Sequence, residues 1–430
     1  MTESRRLNVG LTCVTAIVLG LLTLSALAQE QSSTGSPDDR KVGYREAEGF
    51  YGLSTPRSQL AEDDILRDPV FRFPGIDKAF QPWLETKKRA NDEYGLAFGF
   101  DYNTMFQGLS DSLTGEDKGN LGILRFYGFW DIFENEAGDT GSLSFKVDHR
   151  HRWFRDLAPA DLASQAGYVG VTGTLFSDTD GLTLVDFNWQ QSFNNRNAGI
   201  IVGRFDPNDY MGVLGYVNPW TTFSNVSTLL NSSVAYPDAS IGIGGGTWFA
   251  DHWYVKGAVN DANGVVTETD AFSGGSEFFK FVELGWSPTK ADRYFKNVHV
   301  VAWDVDERKD AGIESAHGVM IGANWTTADQ RWMGFMRGGW SSGTAPIYNE
   351  TYTAGFLRKF RRNSDLLGIA LNWGDVPGAL GSQTTGELFY RLQFAQNFAI
   401  TPSIQLLKDP ALNDQHSRVW VYSVRMRLTL

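Results

Sequence analysis

The sequence predicts an all-β chain: a 16-stranded antiparallel transmembrane β-barrel with one long loop folded inward as a constriction. Three observations predict it. Apolar residues make up 42% of the 430 residues, yet only one uncharged stretch, Leu7 to Gln29 at the extreme N-terminus, is long enough to cross a bilayer as a helix. The chain carries 14 Trp, 15 Tyr, 29 Phe and 46 Gly against 38 Lys plus Arg, a composition suited to pleated faces covered by aromatics and turns built on glycine. From Tyr94 onward large apolar and small or polar residues alternate with period 2, which sends consecutive side chains to opposite faces of a strand.

In chain order, Arg5 and Arg6 precede an apolar core from about Val9 to Leu24, and Ala26 and Ala28 form an A-x-A site before Gln29. This predicts a signal peptide over 1–28, cleaved on export. The sole cysteine, Cys13, lies inside that leader, so the exported chain is expected to have neither disulfides nor thiolate metal ligands. The formal net charge is −12; removing a leader of net +1 leaves about −13, which disfavours nucleic acid as a partner. No cofactor or metal is expected.

Residues 29–93 are polar and punctuated by Pro69, Pro74 and Pro82. They read as a periplasmic N-terminal extension, largely irregular, with a short helix over 81–93 that places Trp83 and Leu84 on one side and covers or enters the mouth of the barrel. Residues 94–430 read as that barrel. Strands are placed at 94–107, 121–133, 141–153, 182–193, 198–205, 239–249, 252–261, 278–286, 297–306, 317–325, 331–341, 351–360, 365–374, 386–395, 398–407 and 419–430. A weakly alternating run, Tyr168 to Phe176, is assigned to a loop. Long and short connections alternate, as in an even-numbered meander whose closure leaves no strand edge in lipid.

Charges at mid-bilayer cost about 2–4 kcal/mol, so mid-strand bases must face the lumen and the apolar face must face lipid. This directs Arg125, Lys146, Arg150, Arg204, Arg391, Arg425 and Arg427 inward with Asp101, Asp131, Asp186, Glu283 and Glu387, and predicts a wet, charged lumen. Loop 206–238 is the longest connection and carries Asp206, Tyr210, Tyr216, Trp220, Phe223 and Tyr236. Exposing so many rings to water is costly, so the loop is expected to fold into the lumen and narrow it. There the rings are suited to stack on the C–H faces of sugars while lumen charges bond hydroxyls; equally open is that they fix the loop to the wall or to a neighbouring subunit. Arg150 and Arg204 are the leading ligand candidates.

Other patterns carry less. His149 and His151 share one strand face, read as an outward rim position. Gly242 to Thr247 has no following Lys or helix, which excludes a phosphate loop. A lipase-like barrel enzyme would use His299, read as outward, but no G-x-S-x-G elbow accompanies it.

The strand Thr401-Pro402-Ser403-Ile404-Gln405, the loop Asp409-Pro410-Ala411-Leu412-Asn413 and the closing Arg425-Met426-Arg427-Leu428 resemble the OprB-type carbohydrate-selective porins. Val202 to Asn208, before the longest loop, and Gly257 to Gly264 match as well. The resemblance implies facilitated diffusion of carbohydrates through an aqueous channel in the outer membrane of a Gram-negative cell, with sugars and lipid as partners. A homotrimer follows by analogy with general porins, and a general non-selective porin is the alternative.

Overall fold

The computed structural model describes residues 40–44, 49–154, 157–178, 181–267, 275–361, 364–378 and 380–430. The expected leader, 1–28, lies outside them. Sixteen strands run β1 (Leu96–Leu109), β2 (Lys118–Glu134), β3 (Thr140–His151), β4 (Gly181–Phe193), β5 (Ala198–Phe205), β6 (Ser240–Trp248), β7 (Trp253–Asp261) and β8 (Phe278–Trp286), then β9 (Lys296–Val305), β10 (Ala316–Thr326), β11 (Trp332–Ser341), β12 (Glu350–Phe360), β13 (Asp365–Val376), β14 (Gly381–Ala395), β15 (Phe398–Lys408) and β16 (Arg418–Thr429). Each pairs with its sequence neighbours and β1 closes on β16, with Asp101 opposite Thr429 and Met105 opposite Arg425. Tyr168 to Phe176 is indeed loop. Among the described residues no helix is long and apolar enough to cross a membrane.

The register follows the alternation. On β3, Lys146, Asp148 and Arg150 are buried inside, while Phe145 and Val147 alternate with them on the outer face. Outer aromatics gather toward both rims. Trp286 and Trp325 stack 6.4 Å apart near the short turns, and Tyr352 and Trp373 stack 6.0 Å apart near the long loops. Two such girdles are where amphipathic rings meet the two membrane–water boundaries.

The lumen is not the uniformly wet, charged space that the mid-strand charges imply. Leu109, Leu407, Val419 and Val421 of the inner wall pack against Leu162, Ala163, Ala166 and Tyr168 of the loop after β3. Phe335, Leu357 and Phe389 pack against Phe223 and Leu229 of the loop after β5. Apolar inward positions are thus docking sites for chain folded into the barrel, which removes both partners from water.

The N-terminal segment fills the terminal end of the lumen. Arg40 and Ile65 form a backbone bridge, and the Asp64 carboxylate accepts the N–H groups of Val42 at 2.6 Å and of Gly43 and Tyr44 at 2.8 Å, tying residues 40–44 to residues 64 and 65. Helix α1 (Pro56–Asp63) of this N-terminal loop lies against β1, β2 and β3. Helix α2 (Pro74–Tyr94) then leads into β1 and is longer than the stretch 81–93 expected from sequence. Pro74 stands in the first turn of α2, as Pro56 does in α1, where no N–H is needed, and starts the helix instead of breaking it, while Pro82 is accommodated inside α2. Gly95 ends α2 at φ +67°, where a Cβ would lie 2.5 Å from the Asp131 carbonyl oxygen.

Candidate functional site

The loop joining β5 to β6 is held inside the barrel by wall charges that point at its backbone. Glu387 on β14 accepts the N–H groups of Ser224 at 2.7 Å and Asn225 at 3.0 Å and the Thr228 hydroxyl at 2.5 Å. Arg425 donates to the carbonyls of Pro219 at 3.0 Å and Thr222 at 2.6 Å. Arg337 on β11 donates to those of Thr228 at 2.7 Å and Leu229 at 2.9 Å. Side chains hold the loop too. Trp220 lies under the Arg125 guanidinium, 3.5 Å from its ring centre, and Phe223 meets Phe389 edge-on at 4.9 Å. Tyr210 packs on Phe205 at 5.4 Å; Tyr216 packs on Phe295 at 5.7 Å, with Lys359 over its face at 3.8 Å. These contacts occupy the rings as wall anchors.

A second set of charges seats the N-terminal loop. Arg57 pairs with Asp131 and bonds the Ser142 hydroxyl at 3.0 Å. Asp101 is shared by Arg125 and Arg427, and Gln59 reaches both Asp101 and Arg125. Arg427 also meets Asp63 of α1 at 2.7 Å. Burial alone would raise the Asp63 carboxyl, but Arg427 and the Tyr127 hydroxyl hold it down to about 2. Gly52 comes so close to the long loop that a Cβ there would collide with the Asp209 carbonyl oxygen.

Between the N-terminal loop, the loops after β3 and β5 and the wall lies a cavity of about 460 Å³. Its titratable lining comprises Lys146, Asp148, Arg150, Asp206, Asp209, Asp238, His299 and Arg337; its aliphatic lining includes Val213, Leu214, Val217, Leu229 and Val234, with Trp220 and Tyr236. Lys146 sits between Asp186 at 2.8 Å and Asp209 at 3.2 Å. Arg150 bonds the Ser177 hydroxyl at 2.8 Å and lies 3.6 Å from Asp148. Burial, reinforced by the Asp209 carboxylate, pushes Asp206 up to about 8.

Of the residues singled out from sequence, Lys146, Arg150, Asp206, Trp220, Tyr236 and His299 therefore meet at this cavity. The other candidates for binding sugar lie outside its lining. Arg204 is bonded to the carbonyls of Leu184 and Val265, each at 2.6 Å, outside the cavity lining. Arg391 bonds Gln393 at 3.2 Å. Asp131, Arg125 and Arg427 serve the N-terminal loop, and Glu387 and Arg425 the long one.

His299 corrects the sequence reading. It is buried inside the barrel, with Nδ1 2.5 Å from the Asn297 side-chain oxygen, so it is not a lipid-facing histidine. Strand β9 has valine at 298 and 300 outside and at 301 and 305 inside, so its two faces look alike in sequence. Arg337 escapes the sequence reading for a related reason: it shares its inward register with apolar Met333 and Phe335. Among the described residues no group of three or more His, Cys, Asp or Glu is placed to hold a metal ion.

Comparison with known proteins agrees with this geometry. The chain aligns with the OprB protein of Pseudomonas putida in its high-pH structure at a TM-score of 0.64 and 13% identity, covering 81% of this chain and 97% of that one. It aligns with a porin of Rh. blastica at a TM-score of 0.50 and 13% identity, covering 78% and 100% respectively. At these identities the likeness is one of fold. No curated protein matches. The model of the family described as carbohydrate-selective porin, OprB family, matches residues 159–430, well over half of the chain, and the chain belongs to that family.

Proposed function

We propose that this outer-membrane porin passes sugars by facilitated diffusion and that the cavity of about 460 Å³ is its selective point. The observation that supports this is the cavity's two-sidedness. Lys146, Asp148, Arg150 and Arg337 line it on the wall side, and Val213, Leu214, Val217 and Leu229 of the long loop line it with aliphatic carbon. A pyranose has the matching division, with hydroxyls at its edge and C–H groups on its faces. Charged groups bond hydroxyls strongly, and a volume of this size falls within the roughly 300–1,000 Å³ of small-molecule sites. Both acids and bases line the cavity, which favours neutral polyhydroxyl solutes over ions of either sign.

The test is ion conductance of the purified mature protein in planar bilayers, titrated with mono- and oligosaccharides. Concentration-dependent block by sugars is expected, together with swelling of sugar-loaded liposomes. Ion conductance that no sugar reduces would instead support a general non-selective porin. The homotrimer drawn from general porins is checked separately, by the mass of the detergent-solubilised particle.

A further inference from the structure

We propose that residues 66–76 and helix α2 form a collar that lies in the headgroup zone of the lipid leaflet at the terminal end of the barrel. The chain reaches that position by pairing with the wall: the Val70 and Phe71 N–H groups donate to the carbonyls of Gln393 at 3.0 Å and Phe394 at 2.9 Å. The Phe71 ring then packs 4.8 Å from Phe394, which in turn packs 5.9 Å from Phe398, a residue on the lipid face of β15 beside inward Ala399. At the far end of the segment, Trp83 packs 5.6 Å from Phe98 and 6.1 Å from Phe100, which alternate with buried Ala97 and Asp101 and share the lipid face of β1. Both ends of the collar are thus continuous with the surface that meets lipid.

Between these anchors the apolar side chains are open. Phe71 is 49% exposed, Phe73 40% and Ile76 54%, and the Phe71 and Phe73 rings lie 6.5 Å apart. Leaving this surface in water forfeits roughly 25 cal/mol for each Å². Ile76, Phe80, Trp83, Leu84 and Lys87 recur at i, i+4, i+7, i+8 and i+11 and so share one helix face, while Lys78, Glu85 and Arg89 lie on the opposite one. In the second half of the helix that face is held by the end of the barrel, Leu84 packing with Val42, Tyr44 and Leu60 and buried Lys87 donating to the Leu430 carbonyl at 3.1 Å, so the part left open to lipid is the opening turn with Ile76 and the segment before it. In α2 the bases Lys78, Lys87, Lys88 and Arg89 are balanced by Asp77, Glu85, Asp92 and Glu93, which matches a zwitterionic phospholipid and requires no anionic lipid. Tyr94, 67% exposed, and Trp130, whose indole donates to the Tyr94 carbonyl at 2.9 Å, add amphipathic rings where the helix meets the barrel.

Single cysteines are informative here because the only native one, Cys13, precedes the barrel and its N-terminal segment. Phe73→Cys, Ile76→Cys and Glu85→Cys, in a Cys13→Ser background, would each carry a polarity-sensitive fluorophore in vesicles of the zwitterionic lipids phosphatidylethanolamine and phosphatidylcholine. Val300→Cys, on the lipid face of β9, serves as the reference. Spin-labelled acyl chains are expected to quench probes at 73, 76 and 300 at least twofold more than at 85, with little response to salt. Quenching at 300 alone would overturn the collar and leave the barrel standing. Absence of quenching at 300 as well would overturn the membrane-spanning reading and the collar with it. Efficient disulfide dimerisation through Ile76→Cys without lipid quenching would place a second protein copy there instead and also refute the proposal.

Discussion

The Arg125 guanidinium lies 3.5 Å from the centre of the Trp220 ring while its other side pairs with Asp101, so one buried cation ties the first two strands to the middle of the longest loop. Removing it leaves Asp101 with Arg427 as its remaining base and leaves Trp220 uncovered. Arg125→Ala is expected to lower unfolding stability by about 3–5 kcal/mol in detergent, in the range for breaking a buried charge pair. It should also raise single-channel current noise, because the loop loses a clamp. Quiet channels from this variant would mean that the loop is held by its backbone contacts alone.

Glu387 accepts from three residues in the segment Ser224 to Thr228, all donors. Glu387→Gln keeps the shape but turns an amide NH2 toward at least one of those donors. The expected loss is about 1–3 kcal/mol, that of an unsatisfied buried group. Sugar block should weaken while the barrel survives, measured as an increased half-blocking concentration at unchanged heat-modifiability on gels.

Arg150 and Arg204 separate ligand from scaffold. Arg150→Ala removes a cation from the cavity lining and is expected to weaken sugar block about tenfold. Arg204→Ala removes two bonds to carbonyls behind the loop after β7 and should leave block within about twofold of the parent. Equal effects would move the selective point away from the cavity. A factor of ten corresponds to about 1.4 kcal/mol, the size of a single charged hydrogen bond.

The N-terminal loop and the loop after β5 respond to pH with opposite sign. Asp206, held up at about 8 in the folded loop, has an unfolded value near 4, so its protonated form is the one the fold favours. Its stabilising share is complete below about pH 4 and lost as pH rises through about 8. Current noise is therefore expected to grow from pH 6 to 9, and Asp206→Asn should abolish that growth. Asp63 stands at about 2, below its unfolded value. Its contribution is present above about pH 4 and disappears as pH falls toward 2, where the N-terminal loop should become accessible to an acid protease.

Much of this architecture is legible in the sequence because it is local. Alternation on β1, β3 and β16 assigns both the strands and their faces, since large apolar residues take turns there with small, polar or charged ones. The same pattern fails on β9, where valine occupies both faces and His299 is misassigned. The N-terminal loop is illegible for another reason. Its partners are far away along the chain: Asp63 meets Arg427, and Arg57 meets Asp131, with nothing periodic to announce either pair. Lys146 and Arg150 are legible as inward charges, but that they share a cavity with Arg337 depends on where the two long loops settle, and strand patterning says nothing of that.

Asp101 stands on the first strand, whereas Arg427, which shares it with Arg125, stands on the last. Lys87 of α2 likewise donates at 3.1 Å to the carbonyl of Leu430, just beyond β16. The seam that closes the cylinder is therefore also the latch of its base: a chain lacking β16 would lose barrel closure and the seat of its N-terminal loop in one stroke.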